Sequence, residues 1–74
     1  MKIEYDPKPD AMYIRLLAGE VAGSDEVREG VVLDYDAEGR VVGIEMLDVS
    51  RRVDNPRKLT FELLVSATNR LSNG

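Results

Sequence analysis

The chain contains no cysteine and no histidine. Without cysteine there is no disulfide to staple a small fold and no thiolate metal site. Without histidine the commonest zinc ligand is missing, along with the usual general base near neutral pH and the His-activated serine or cysteine nucleophile. No apolar run approaches the roughly 18–20 residues of a membrane span. The segment Met1-Lys2-Ile3-Glu4-Tyr5-Asp6 starts directly in strand-like sequence instead of a charged-then-apolar leader. The expected location is the cytoplasm, with no membrane partner.

What is present fits one small domain spanning residues 1–74. A core of this size rarely supplies more than about 3–5 kcal/mol without disulfides, metals or association. Self-association or a small protein partner is therefore expected from size alone. Ten Lys and Arg against fourteen Asp and Glu give a net charge of −4 and a pI near 4.7. That balance repels phosphate backbones, so nucleic acid is not an expected partner, and a basic protein suits it better.

Ile3 to Asp6 alternates apolar and polar residues, the period of a half-buried strand. Asp6-Pro7-Lys8-Pro9-Asp10 is a turn, and Ala11 to Leu17 returns as a second strand. Ala18 to Gly30 is punctuated by glycine and rich in charge. It reads as a surface connection with room for a short edge strand around Val21 to Val27. Val31–Tyr35 and Val41–Val49 form a second hairpin about Asp36-Ala37-Glu38-Gly39. A four-residue loop, with Leu33 opposite Val42 and Val31 opposite Ile44, keeps the apolar set together.

Asp54-Asn55-Pro56 is a helix-start signal, and Leu59, Leu63, Ala67 and Leu71 recur at helical spacing. A strand through Leu59 to Val65 competes with that reading. The expectation is an α+β fold: a mainly antiparallel sheet of two hairpins, about four strands within residues 2–49, with one C-terminal helix over residues 56–71 covering one face.

Alternation sorts the strands into two faces. Face one collects Ile3, Tyr5, Met12, Ile14, Leu16, Val31, Leu33, Val42, Ile44 and Met46, with Tyr35 at its rim. It is the core face, on which Ile44→Asp should unfold the protein. Face two interleaves apolar and acidic groups with Tyr13 and Arg15. It reads either as a solvated face with tolerated apolar residues or as a contact surface. On the second reading the candidate interface is Tyr13, Arg15, Asp34, Glu45 and Leu47.

The acids raise a metal reading. Asp34 and Asp36 share a strand face, and Glu45 can approach Asp34 across the hairpin, so a carboxylate cluster for a divalent cation, or for hydrolysis, is the alternative. Against it, Asp36 belongs to a turn, Asp34 and Glu45 can pair with Arg15, and no known metal-binding spacing is present. No catalytic residue, metal ligand or cofactor is therefore assigned. The glycines form no phosphate-cradling loop, and Ser24, Ser50 and Ser66 lack a nucleophile-elbow context. Arg51-Arg52 and Arg57-Lys58 are the local basic patch, which reads as solvated more readily than as a phosphate site.

Four stretches together resemble a family: Tyr5-Asp6-Pro7; Asp10-Ala11-Met12-Tyr13-Ile14-Arg15-Leu16; Gly30-Val31-Val32-Leu33-Asp34-Tyr35-Asp36; and Gly39-Arg40-Val41-Val42-Gly43-Ile44-Glu45 running on to Ser50. They are similar to the short prokaryotic proteins grouped as domain-of-unknown-function family 2283, over about Lys2 to Arg52. The resemblance implies a compact β-rich domain with no assigned reaction and no catalytic residues to carry over. It also implies an antitoxin-like partner role as one option. The function expected is a non-enzymatic protein-interaction module, either a homo-oligomer or the acidic partner of a small basic protein.

Overall fold

A computed structural model describes residues 1–65. The strands are β1 (Lys2–Asp6), β2 (Ala11–Arg15), β3 (Gly23–Arg28), β4 (Val31–Tyr35) and β5 (Val41–Met46), followed by a 3-10 turn at Val49–Arg51. They form one antiparallel sheet in the order β1-β2-β5-β4-β3. Asp10 closes the first hairpin with φ 55°, and Gly30, φ 77°, closes the two-residue turn between β3 and β4. A left-handed residue suits both tight reversals.

The registers stack face one into two apolar rows. Ile3, Ile14, Ile44 and Leu33 lie side by side across β1, β2, β5 and β4, and Tyr5, Met12, Met46 and Val31 form the adjacent row. The edge strand β3 adds Asp25 and Arg28 to this face and Glu26 to the other, charges that discourage edge-to-edge pairing. After Met46 the Leu47 amide donates to the Gly30 carbonyl at 2.8 Å, and Asp48, φ 53°, turns the chain out of the sheet. The Val49 amide then donates to the Asp10 carbonyl at 3.1 Å. Val53 and Asn55 to Leu59 run beside Ile3, Tyr5 and Met12, enclosing a mostly apolar hollow of about 260 Å³.

Three expectations are corrected. The fold is a five-stranded all-β sheet, not α+β, and the sheet ends at Met46 rather than Val49. Among the described residues there is no α-helix, so the expected helix over 56–71 does not form as far as Val65; its remainder lies outside the described residues. The expected cap at Asn55 is present. Its side-chain Oδ1 accepts the Arg57 amide at 3.0 Å and its carbonyl accepts the Lys58 amide at 3.1 Å. These bonds have the N-cap pattern, but they close a single turn that does not propagate. A helix needs an apolar stripe to bury, yet Leu59 and Leu63 stay about 70 % exposed.

The third correction is register. Leu33 lies opposite Ile44 and Val31 opposite Met46, not Val42 and Ile44. Val42 is the extra residue of a β-bulge, because Asp34 pairs with Gly43 but Tyr35 pairs with Val41. The bulge lets five residues, Asp36 to Arg40, make the loop. Its geometry is set by the Asp36 carboxylate, which accepts the Glu38 amide at 2.9 Å, the Arg40 amide at 2.9 Å and Arg40 Nε at 2.9 Å.

Candidate functional site

Face two is built from the same registers, one residue out of step. One row runs Glu4, Tyr13, Glu45, Val32, Glu26, and the next runs Lys2, Arg15, Gly43, Asp34, Ser24. Gly43 is the gap in the second row. A Cβ at that position would collide with the Tyr13 hydroxyl and ring, which lie over the bare glycine backbone. Glycine inside a strand commonly marks such a close approach.

Across the gap the Tyr13 hydroxyl donates to Asp34 Oδ2 at 3.0 Å, and the Ser24 hydroxyl donates to Asp34 Oδ1 at 2.6 Å. One carboxylate thus ties β2, β4 and β3 together over β5. Burial, then the hydrogen bond to Asp34, pushes the Tyr13 phenol above its ordinary range, with Arg15 opposing.

Of the expected interface residues, Tyr13, Arg15, Asp34 and Glu45 share this face. Tyr13 and Asp34 bond directly, and Glu45 is the cross-strand neighbour of Tyr13. Arg15 does not pair with either acid; its guanidinium donates to the Gly19 carbonyl. Leu47 lies past the end of β5, where its carbonyl accepts Arg52 Nε at 2.6 Å. Beside the Tyr13–Glu45 pair a shallow hollow of about 490 Å³ is lined by Glu4, Asp6, Tyr13 and Glu45 together with Pro7 and Pro9. Its three carboxylates favour a cationic visitor.

The alternative carboxylate cluster is not assembled. Asp36 spends its oxygens on its own turn, and both oxygens of Asp34 are taken by Tyr13 and Ser24. Among the described residues no three acids converge as metal ligands.

Two features escaped the sequence reading. Ser24 sits on a polar strand whose pairing no periodicity revealed. The other is a tie around Asp10, whose carboxylate accepts the Tyr5 hydroxyl at 2.7 Å, the Ser50 hydroxyl at 2.6 Å and the Ser50 amide at 3.0 Å. The Ser50 and Tyr5 hydroxyls hold the Asp10 carboxyl below its ordinary range, and Asp10 in turn raises the Tyr5 phenol. The tie fastens the first hairpin turn to the 3-10 turn forty residues on.

The residues of both clusters fall inside one family match. Residues 2–50 match the family described as "Protein of unknown function (DUF2283)", more than half of the 74-residue chain. The chain belongs to this family. No curated protein and no solved structure matches it. The DUF2283 match covers all five strands and both hydroxyl–carboxylate ties, and it stops at residue 50, within the 3-10 turn and ahead of the segment from Val53. No described helix is long and apolar enough to cross a membrane.

Proposed function

We propose that this DUF2283 member is a non-enzymatic protein-interaction module whose hydrophobic core is completed by another polypeptide chain. The observation that carries the reading is the open apolar face. Only Val42 and Val49 are buried apolar residues among those described, while Met12, Ile14, Val31, Leu33, Ile44 and Met46 are only half-buried. A one-layer sheet with an apolar face is stable when a second layer covers it. Assembly through face one leaves face two outward, with Tyr13, Arg15, Asp34 and Glu45 as a contact surface for a small basic partner and Leu47 beyond the end of β5 beside it. The acidic hollow beside Glu4 and Glu45 supports that second role.

The test is absolute mass by light scattering over a wide concentration range, with Tm measured in the same samples. A species larger than 8.3 kDa and a Tm that rises with protein concentration are expected, because association stabilises by mass action. A monomer whose Tm ignores concentration removes self-assembly. For the acidic face, Tyr13→Ala with Glu45→Lys should abolish binding to a basic protein partner while circular dichroism is unchanged. Retained binding removes that face.

A further inference from the structure

The two edges of the sheet are built differently. β3 carries Asp25, Glu26 and Arg28 and is bulged between Glu26 and Arg28, features that oppose strand addition. β1 has no bulge and pairs with β2 without interruption from Lys2 to Asp6. Its outer side has no backbone partner among the described residues. β1 ends the strand order, and no turn or loop amide or carbonyl bonds to it. The segment from Val53 to Leu59 meets Ile3 and Tyr5 on face one and leaves that edge unpaired. Every residue of β1 except Tyr5 is exposed, whereas β2 and β4 are half-buried throughout.

We propose that β1 pairs antiparallel with β1 of a second copy about a two-fold axis at Ile3, joining the two sheets edge to edge. Charge in register points to this chain as its own partner. Outward-pointing backbone groups fall on alternate residues, so an antiparallel neighbour must oppose residues of equal parity. With Ile3 opposite Ile3, Lys2 lies opposite Glu4 on both sides of the axis, and Met1 lies opposite Tyr5. Moving the axis one residue either way sets Lys2 against Lys2 or Glu4 against Glu4, and centring it on Tyr5 sets Glu4 against Asp6. Opposite charges facing each other across strands stabilise a pair, and like charges destabilise it. Of these registers, only the one centred on Ile3 pairs opposite charges with no like pair. Lys2 and Glu4 are already 3.6 Å apart on their own strand, so the dimer closes a cluster of alternating charge on face two. The axis runs perpendicular to the sheet, which keeps Ile3 and Tyr5 of both copies on one apolar side and makes the contact isologous. The edges that remain are the two charged β3 strands. Contact is confined to Met1 to Tyr5 of each copy, so the dimer is weak and depends on concentration. The pairing goes beyond the core-completion reading, because it leaves face one open.

The test is sedimentation velocity over a wide concentration range on the full chain, with circular dichroism as the control for folding. Wild type is compared with Lys2→Glu, with Glu4→Lys and with the variant carrying both changes. Wild type should self-associate. Each single variant opposes like charges on both sides of the axis and should associate about tenfold more weakly. The double variant restores opposite charges and should associate like wild type. A Glu4-centred register predicts the reverse for the double variant, which then opposes like charges at every pair on face two. The chain has no cysteine, so Ile3→Cys should give an unambiguous disulfide-linked dimer under mild oxidation. Asp6→Cys, roughly 20 Å from its counterpart in this register, should give none. Association that both single variants retain in full overturns the edge pairing and leaves assembly through face one standing. Association lost in the single variants and not regained in the double variant overturns the register and the pairing with it. A wild type that is monomeric at every concentration overturns the pairing and self-assembly together.

Discussion

Tyr13 and Asp34 lie on strands separated by a third, yet the phenolic hydroxyl reaches the carboxylate at 3.0 Å because the strand between them carries Gly43 at the crossing. Gly43→Ala places a methyl group where the ring rests, and Tyr13 must swing away. The hydrogen bond lost is worth about 1 kcal/mol at a partly exposed site. The lower backbone entropy of the unfolded chain returns about 0.4–1 kcal/mol, since Gly43 does not need a positive φ. Stability should change by less than about 1 kcal/mol by that balance. The informative readout is the Tyr13 ring, whose nuclear Overhauser contacts to β4 should vanish.

The same contact sets an alkaline limb. Tyr13 has its folded-state pKa raised, so its stabilising contribution is complete below the unfolded value of about 10 and is lost as pH climbs through the folded value. Tyr5 acts in the same sense through Asp10. Ultraviolet titration of wild type should show tyrosinate forming later than in the unfolded chain. Asp34→Asn should bring one of the three tyrosine steps to lower pH, though not fully to its ordinary place, because burial remains. An unchanged titration would show that Asp34 does not act on Tyr13 in solution.

From Gly43 to Met46 the face assignment was legible from sequence because it depends on parity alone, whereas beyond the bulge Val41, expected on face two, pairs with Tyr35 of face one. Leu33 can sit opposite Val42 or Ile44, and either register leaves Val31, Leu33, Ile44 and Met46 on one side. For the same reason the pattern could not reveal the bulge at Val42. The helix expectation failed through a similar ambiguity. Leu59 and Leu63 are four apart, which suits a helical stripe and also every second turn of an extended chain. The cap at Asn55 forms, but the leucines after it stay mostly exposed, so no buried stripe carries a helix onward. In the site, Tyr13 and Asp34 stood out as polar groups amid aliphatics, while Ser24 could not, since β3 is polar on both faces. Asp10 was read as a turn former, and nothing local signals that Ser50 returns to it.

Val42 tests the bulge. It is fully buried although it has no partner on β4, and its carbonyl accepts the amides of both Leu16 at 2.8 Å and Leu17 at 3.2 Å. Val42→Ala keeps those backbone bonds and removes two methyl groups. At about 0.8 kcal/mol per buried carbon plus a cavity term, the cost is about 2 kcal/mol. For a domain whose core supplies roughly 3–5 kcal/mol, that is a large share. The urea midpoint should fall sharply with little change in slope. A truncation at exposed Val21, made as the control, should leave the midpoint in place.

Asp10 separates charge from conformation. Its backbone is left-handed, φ 55°, which glycine and asparagine also adopt readily. Asp10→Gly therefore keeps the turn and the Val49 amide bond to the Asp10 carbonyl while deleting the carboxylate that holds Ser50 and Tyr5. Tm should drop by several degrees. Asp10→Asn retains one acceptor oxygen and should fall between wild type and Asp10→Gly at neutral pH. The folded-state pKa of Asp10 is depressed, so its contribution is present above the unfolded value of about 3.9 and disappears as pH falls through the lower folded value. Asp36 loses stability over the same acid range, but it is common to wild type and variant and cancels in their difference. The Tm gap between wild type and Asp10→Asn should thus be constant from neutrality down to about pH 5 and close below about pH 4. A gap that persists undiminished at pH 2 would mean that the tie depends on shape and not on the ionised carboxylate.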